Sequence, residues 1–308
     1  MSTPPRELTV PPASEGARLD AYVGEALGLS RARVKRLFDE GAVRVGGRGA
    51  KKGQTVRAGE RVSVLLEDAS PAPLPEPEAP LAVLHADAEV LVVDKPAGRP
   101  SHPLKPGETG TVANALVARY PECLAASEDP REAGLCHRLD VETSGALLVA
   151  RTRPAWDALR AAFSARAVDK RYWALVTGPL VDEGEVEVPL RHHPRHPDRV
   201  EPALDEGPPG REALSRFRAL ARASEYTLVE VTILTGVLHQ VRAHLAAIGA
   251  PLVGDALYGG REEPGLGRFF LHARALGFTH PVSGARVQVE SPLPEELLRV
   301  LEARGLRP

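Results

Sequence analysis

Five prolines fall within twelve residues at 69–80 (ASPAPLPEPEAP), and this run sets the organisation of the 308-residue chain. Proline fixes φ and offers no amide donor, so such a segment suits neither a helix interior nor a central strand. It favours extended, semi-rigid backbone. A chain of this length has room for about two domains, and the proline run is where we divide it. The expected organisation is an N-terminal arm (1–15), a small basic domain (16–66), a linker (67–80) and a larger domain (81–308).

Composition excludes several classes. Hydrophobic residues at 43 % and charged residues at 26 % are ordinary for a globular protein. No apolar run approaches the ~18 residues that span a bilayer. The start, MSTPPRELTV, lacks a basic segment followed by an apolar core. No membrane partner is therefore expected, and a cytoplasmic location is. Two cysteines, Cys123 and Cys136, cannot build a disulfide framework or a four-thiolate zinc site. The net charge of −2 conceals an asymmetry, because Gly16–Leu66 holds eleven Lys/Arg against five acids. That segment is an electrostatic footprint suited to a polyanion.

Within the basic domain, Arg18–Leu27 and Ser30–Glu40 read as two helices. Val34, Leu37 and Phe38 form one apolar stripe, with Ser30 as N-cap and Gly41 as stop. Arg31, Arg33, Lys35 and Arg36 then give a basic outward face. Val43–Val45 and Arg61–Leu66 alternate as strands, with a turn at Gly46-Gly47. Beyond the linker, Glu89–Val93 and Ala146–Ala150 suit buried strands, and Arg171–Thr177 and Thr227–Leu234 are β-branched and aromatic. Thr111–Arg119, Pro154–Arg166, His239–Ile248 and Pro294–Ala303 read as helices, the third with Val241, Leu245 and Ile248 on its apolar face and Arg242 turned to a cleft. Strands and helices mix without βαβ alternation, so the fold class is α+β. The stretch His192–Gly210, rich in Pro, His and charge, reads as a surface excursion.

The segment His137-Arg138-Leu139-Asp140-Val141-Glu142-Thr143-Ser144-Gly145 runs into the apolar Ala146–Ala150. It is a loop bearing carboxylates, basic groups and hydroxyls at the mouth of a buried strand. A carboxylate there can attack or stabilise an electrophilic carbon. The competing reading is an Asx-type turn in which Asp140 bonds its own loop amides.

His-Arg-Leu-Asp-x-x-Thr-Ser-Gly followed by apolar residues resembles the signature of the RluA-type RNA pseudouridine synthases. Four further blocks resemble that family in order: Leu91–Gly98 ending in His102-Pro103; Lys170–Val176; Thr235–Leu245; and Leu271-His272-Ala273 through His280-Pro281 to Leu293-Pro294. The basic domain resembles an S4-type RNA-binding domain in Arg18-Leu19-Asp20, Ser30-Arg31-x-Arg33-Val34 and Gly41-x-Val43-x-Val45-Gly46, with Lys51-Lys52 and Gly59 following. The resemblance implies a mixed, largely antiparallel sheet in the catalytic domain beside a small α/β S4-like domain. It implies isomerisation of uridine to pseudouridine in structured RNA, with Asp140 as the catalytic carboxylate, Arg242 as its cation and Tyr172 on the uracil. Arg138 would fill the space of the flipped base, with His137, Thr143, Arg31, Arg33, Lys35, Arg36, Lys51 and Lys52 as further RNA contacts. Against these stand a core role for Tyr172 and a plain ion pair for Arg138. The chain departs from the family in two places: Val141 replaces a common Lys or Arg, and Val237-Leu238 replace Arg-Thr.

No metal or organic cofactor is expected. His192, His193 and His196 lack an accompanying acid or cysteine, and His239 and His244 are five residues apart on one helix. Gly207–Gly210 and Gly259–Gly267 lack the strand-glycine-helix context of nucleotide sites. The rival functions are an RNA-binding or ribosome-assembly protein without the reaction, and a nucleosidase that releases uracil. Large-subunit ribosomal RNA is the favoured partner and transfer RNA the alternative, with the protein acting as a monomer.

Overall fold

The computed structural model describes residues 5–29, 31–65, 72–196, 198–204 and 207–307, without the side chains of residues 31–33 and 36. The chain divides into two compact units, Met1–Ser70 and Pro71–Pro308.

The first unit contains β1 (Arg6–Thr9), α1 (Leu19–Leu27), α2 (Arg31–Asp39), β2 (Val43–Val45), β3 (Arg48–Gly49) and β4 (Arg61–Val64). Its antiparallel sheet has the order β1-β4-β2-β3. Leu19, Tyr22, Val23, Leu37, Val43, Val62 and Val64 share one core. Gly41, at φ +68°, ends α2 as expected. The Ala42 and Gly41 amides bond back to the Leu37 and Phe38 carbonyls, a Schellman closure. Ser30 and Leu66 lie outside the described residues, as do the side chains of Arg31, Arg33 and Arg36. Lys35, Lys51 and Lys52 are exposed, and Lys35 pairs with Asp39 at 3.3 Å.

Two boundaries are corrected. Residues 6–9, read as part of an arm, form the edge strand β1 paired along β4, and Val10 is buried. Flanking prolines disguised it, because an edge strand tolerates proline at its ends. The second half of the proline run is not free linker. Asn114 donates to the Leu74 carbonyl at 2.7 Å, the Gly110 amide donates to the Glu76 carboxylate at 2.8 Å, and Arg99 and Arg119 donate to the Pro80, Ala79 and Leu81 carbonyls. A proline-rich strap lacks amide donors but keeps its acceptors.

The second unit contains β5 (Ala82–Ala86), β6 (Val90–Lys95), α3 (Val112–Arg119), β7 (Ser144–Ala150), α4 (Arg153–Ser164), β8 (Asp169–Thr177), β9 (Glu183–Glu187), β10 (Leu190–His192), β11 (Val200–Pro202), β12 (Leu214–Ala223), β13 (Tyr226–Ile233), α5 (Gln240–Ala247), β14 (Leu271–Thr279), β15 (Arg286–Glu290) and α6 (Glu295–Ala303). Nine strands make one sheet of order β5-β6-β7-β14-β8-β13-β12-β9, with β15 on β14. The β7–β14 pair is parallel and the other pairings are antiparallel.

Both faces of the sheet are covered, which is why β6 and β7 read as unbroken apolar runs. Leu91, Val93, Leu147 and Val149 face α3 and α5, while Val90, Val92, Ala146 and Leu148 face Trp156 and Leu159 of α4. The helix α5 is buried on all sides from Gln240 to Leu245, and Ile248 is 37 % exposed, so the one-sided apolar face expected there is not found. The excursion at 192–210 is partly structural. Strands β10 and β11 form a hairpin that buries Leu190 and Val200.

Gly145 carries the N-terminal end of β7 against β14. Its φ is +119°, and a Cβ there would stand 2.3 Å from the Ala273 carbonyl oxygen. Gly145→Ala is expected to destabilise the protein by about 3 kcal/mol, combining backbone strain with a clash against backbone. Urea denaturation with an unchanged m-value checks it.

Candidate active site

Asp140 lies on the loop entering β7, its side chain 21 % exposed. Three clamps hold this loop. The buried Lys95 ammonium donates to the Val141, Arg99 and Pro96 carbonyls at 2.7, 2.7 and 2.9 Å. Ser101 exchanges hydrogen bonds with the Leu139 amide and carbonyl. Arg268 donates to the Glu142 carbonyl at 2.8 Å and to the Ser144 hydroxyl at 3.0 Å. Burial draws the Lys95 pKa down to about 7, against the opposing charges of Glu142 and Asp140.

Facing Asp140 is Arg242, from the first turn of α5. Its Nη1 stands 3.4 Å from Asp140 Oδ2. Its Nε and Nη2 donate to both oxygens of the buried Asp255 at 2.7 and 2.9 Å. The guanidinium lies against the rings of Phe269 and Tyr258, at 4.2 and 5.0 Å. Burial works against its charge, but Asp255 and Asp140 outweigh burial and raise its pKa. Gln240 anchors the start of the helix: it donates to the Leu214 carbonyl and Ser215 hydroxyl and accepts from Thr235 and the Val237 amide. Tyr172, on β8, is 6 % exposed. Burial and then the Asp140 charge push its pKa well up, so the phenol stays protonated.

The arrangement is a partly exposed carboxylate, kept beside a cation that a second carboxylate fixes, with a neutral phenol within electrostatic reach. A sequence profile of the RNA pseudouridylate synthase family matches residues 89–247, which include Asp140, Tyr172 and Arg242. The chain belongs to that family.

Relatives of the synthase agree over nearly the whole chain. A protein of Xanthomonas campestris pv. campestris named ribosomal large subunit pseudouridine synthase D is 40 % identical, covering 97 % of this chain and 92 % of that one. An uncharacterised RNA pseudouridine synthase of Chloroflexus aurantiacus is 39 % identical, over 96 % and 92 %. Among solved structures, human RNA pseudouridylate synthase domain containing 4 is 25 % identical with a TM-score of 0.58. That match covers 74 % of this chain and 94 % of the human one. Membership makes the protein an RNA uridine isomerase.

The residues expected to touch RNA near Asp140 are placed differently from one another in this synthase. His137 is half-buried: its Nε2 accepts from the Leu148 amide at 3.0 Å and its ring packs on Phe163. Burial, helped by Lys170 and Arg160, lowers its pKa to about 3. It is neutral and cannot serve as a phosphate-binding cation. Thr143 is 2 % exposed, turned into the protein where an RNA contact was expected. Arg138 is exposed and makes no hydrogen bond or ion pair among the described residues. It is therefore not the simple partner of Asp140.

The sequence reading missed Asp255 and Tyr258. Their signal was a buried-type run ending in Gly254-Asp255 and followed by Tyr258-Gly259-Gly260. An acid between glycine-built turns reads as loop chemistry, and only tertiary contact brings it to Arg242. Among the described residues no group of three or more His, Cys, Asp or Glu could hold a metal ion.

Below the loop, Ser144 donates to His272 Nδ1 at 2.9 Å, and His272 Nε2–H points to the Ser291 carbonyl at 3.3 Å. Burial holds the His272 pKa near 4, against an ordinary 6.5. Between those values the unfolded chain binds a proton that the fold does not. The His272 contribution to stability should therefore fall as pH drops from about 6.5 to about 4, by on the order of 3 kcal/mol, and be fully lost below that, while His137 adds a loss of the same sign that extends to about pH 3. Urea midpoints against pH for wild type and His272→Gln check this, since the variant lacks the His272 component. Asp255→Asn should cost about 3 kcal/mol by leaving a buried guanidinium half-paired, and should slow product formation at least tenfold. Calorimetry and a pseudouridine assay read the two effects.

Proposed function

We propose that this protein converts uridines of large-subunit ribosomal RNA to pseudouridine, with Asp140 as the reacting carboxylate. The observation that carries this reading is the Asp140–Arg242–Asp255 triad: a carboxylate open on one side, with its cation locked from behind. An opposite charge within ~4–6 Å favours an ionised carboxylate. Only that form can attack C1′ or remove a ribose proton, and both routes use the same group. Oδ2 faces Arg242, while Oδ1 has no protein donor among the described residues and is the oxygen left for substrate.

The target base must leave its stack to reach this carboxylate. Arg138, exposed and unpaired, supplies a planar cation for the vacated space. Tyr172 offers a ring to the uracil. Because its phenol is protonated, it acts through packing and hydrogen bonding, not as a phenolate base in the resting site. The ribosomal target follows from the relatives named ribosomal large subunit pseudouridine synthase D. The first unit, with its S4-like pattern and exposed Lys51 and Lys52, supplies sequence-independent backbone contacts.

Asp140→Asn should abolish release of tritium from C5-labelled uridine in the RNA while leaving RNA bound. Retained turnover would remove Asp140 from its role. The product RNA should keep its mass, whereas loss of uracil would indicate a nucleosidase. Lys51→Glu with Lys52→Glu should weaken RNA binding and lower the salt slope by about 2, one for each phosphate no longer neutralised. A titration at several salt concentrations measures it.

A further inference from the structure

His239 stands at the N-cap of α5 with a left-handed backbone, φ +51°, which few residues other than glycine adopt. That conformation turns its side chain, 13 % exposed, to a place between Asp140 and Tyr258. Its Nε2 lies 4.0 Å from Asp140 Oδ2. Its Nδ1 lies 3.1 Å from the Tyr258 hydroxyl, and the two rings meet edge to face at 5.8 Å.

The tautomer follows from where the Tyr258 hydroxyl sends its proton, to the Val200 carbonyl or to His239 Nδ1. The hydroxyl accepts from the Val200 amide at 3.0 Å, which leaves a single proton to donate. His239 Nδ1 at 3.1 Å is nearer than the Val200 carbonyl at 3.3 Å. With Nδ1 accepting, the proton of the neutral ring sits on Nε2, facing the carboxylate. Burial keeps the imidazole neutral by lowering its pKa, with Asp140 opposing.

We propose that His239 is a positioning residue of the isomerisation: its Nε2–H and Arg242 Nη1 converge on Oδ2, and Tyr258 fixes the tautomer that makes this possible. The proposal rests on Asp140 being the reacting carboxylate. Two donors on one oxygen set the rotation of the carboxyl group and direct Oδ1 to the ribose. The Nε2 distance of 4.0 Å is longer than a hydrogen bond, and active-site contacts of this kind often tighten only in the substrate complex. Because Val200 lies on β11, the chain Val200–Tyr258–His239 also ties this donor to the β10–β11 hairpin.

Single-turnover tritium release from a large-subunit rRNA transcript, with RNA affinity measured alongside, tests the proposal on the full-length protein. Asparagine accepts the left-handed backbone but is too short to reach Asp140. His239→Asn should slow the chemical step by about 10- to 100-fold, with the Kd for RNA within about twofold. His239→Gln, which restores an N–H at nearly the same reach, should return to within about fivefold of wild type. Tyr258→Phe should slow the step about fivefold alone and add nothing in the His239→Asn background, as expected for one coupled unit. A wild-type rate for His239→Asn, no rescue by glutamine, or multiplying penalties in the double variant would each overturn it. Turnover by Asp140→Asn would instead overturn the reading of Asp140 itself, so the two failures are distinct.

Discussion

The ion pair between Arg242 and Asp255 is the constraint on which the site depends. A buried guanidinium needs partners for its donors, and a buried carboxylate needs a cation; each is costly alone. Asp255 satisfies Nε and Nη2 in the side-by-side geometry that also fixes the plane of the group. Phe269 and Tyr258 lie against that plane. What remains is one edge, Nη1, directed at Asp140. The cation beside Asp140 is thus positioned by contacts internal to the protein.

The loop bearing Asp140 is held by the same logic. It has no regular hydrogen-bonding pattern of its own, so buried side chains from β6, from the segment after it and from the segment before β14 supply the missing partners. Lys95, Ser101 and Arg268 each bond loop carbonyls or amides. Ser144 and His272 continue the network beneath β7. Such networks are demanding, because any member left unpaired costs more than an apolar residue would. In return the carboxylate is presented on a rigid mount, as electrostatic preorganisation requires.

How much of this was legible in the sequence follows from the range of each interaction. The strands β6, β7, β8 and β13 showed in local composition, because burial on both faces leaves little but apolar and β-branched residues. The Schellman stop at Gly41 is set by neighbours within a few residues. The loop of Asp140, the strand of Tyr172 and the helix of Arg242 were legible as resembling motifs. Asp255 was not, because its meaning comes from a contact with a helix thirteen residues earlier in the chain. The burial of α5 was hidden too. Val241, Leu245 and Ile248 read as its one apolar face, yet Gln240, Arg242 and His244 are buried as well and each finds internal partners. A rule that sends polar residues to solvent misreads a helix whose polar side is its site.

Charge also divides the work of the molecule. Asp140 and Asp255 with Arg242 between them carry a net charge of −1, and the neighbouring imidazole is neutral. Three groups of that net sign do not attract phosphate, which accords with the proposal that Arg138 and the basic first unit supply the RNA contacts. The separation has a chemical benefit. Were the backbone drawn to Arg242, the guanidinium would be shared with phosphate and its hold on Asp140 would weaken. Closing its other face with Asp255 keeps the cation for Asp140.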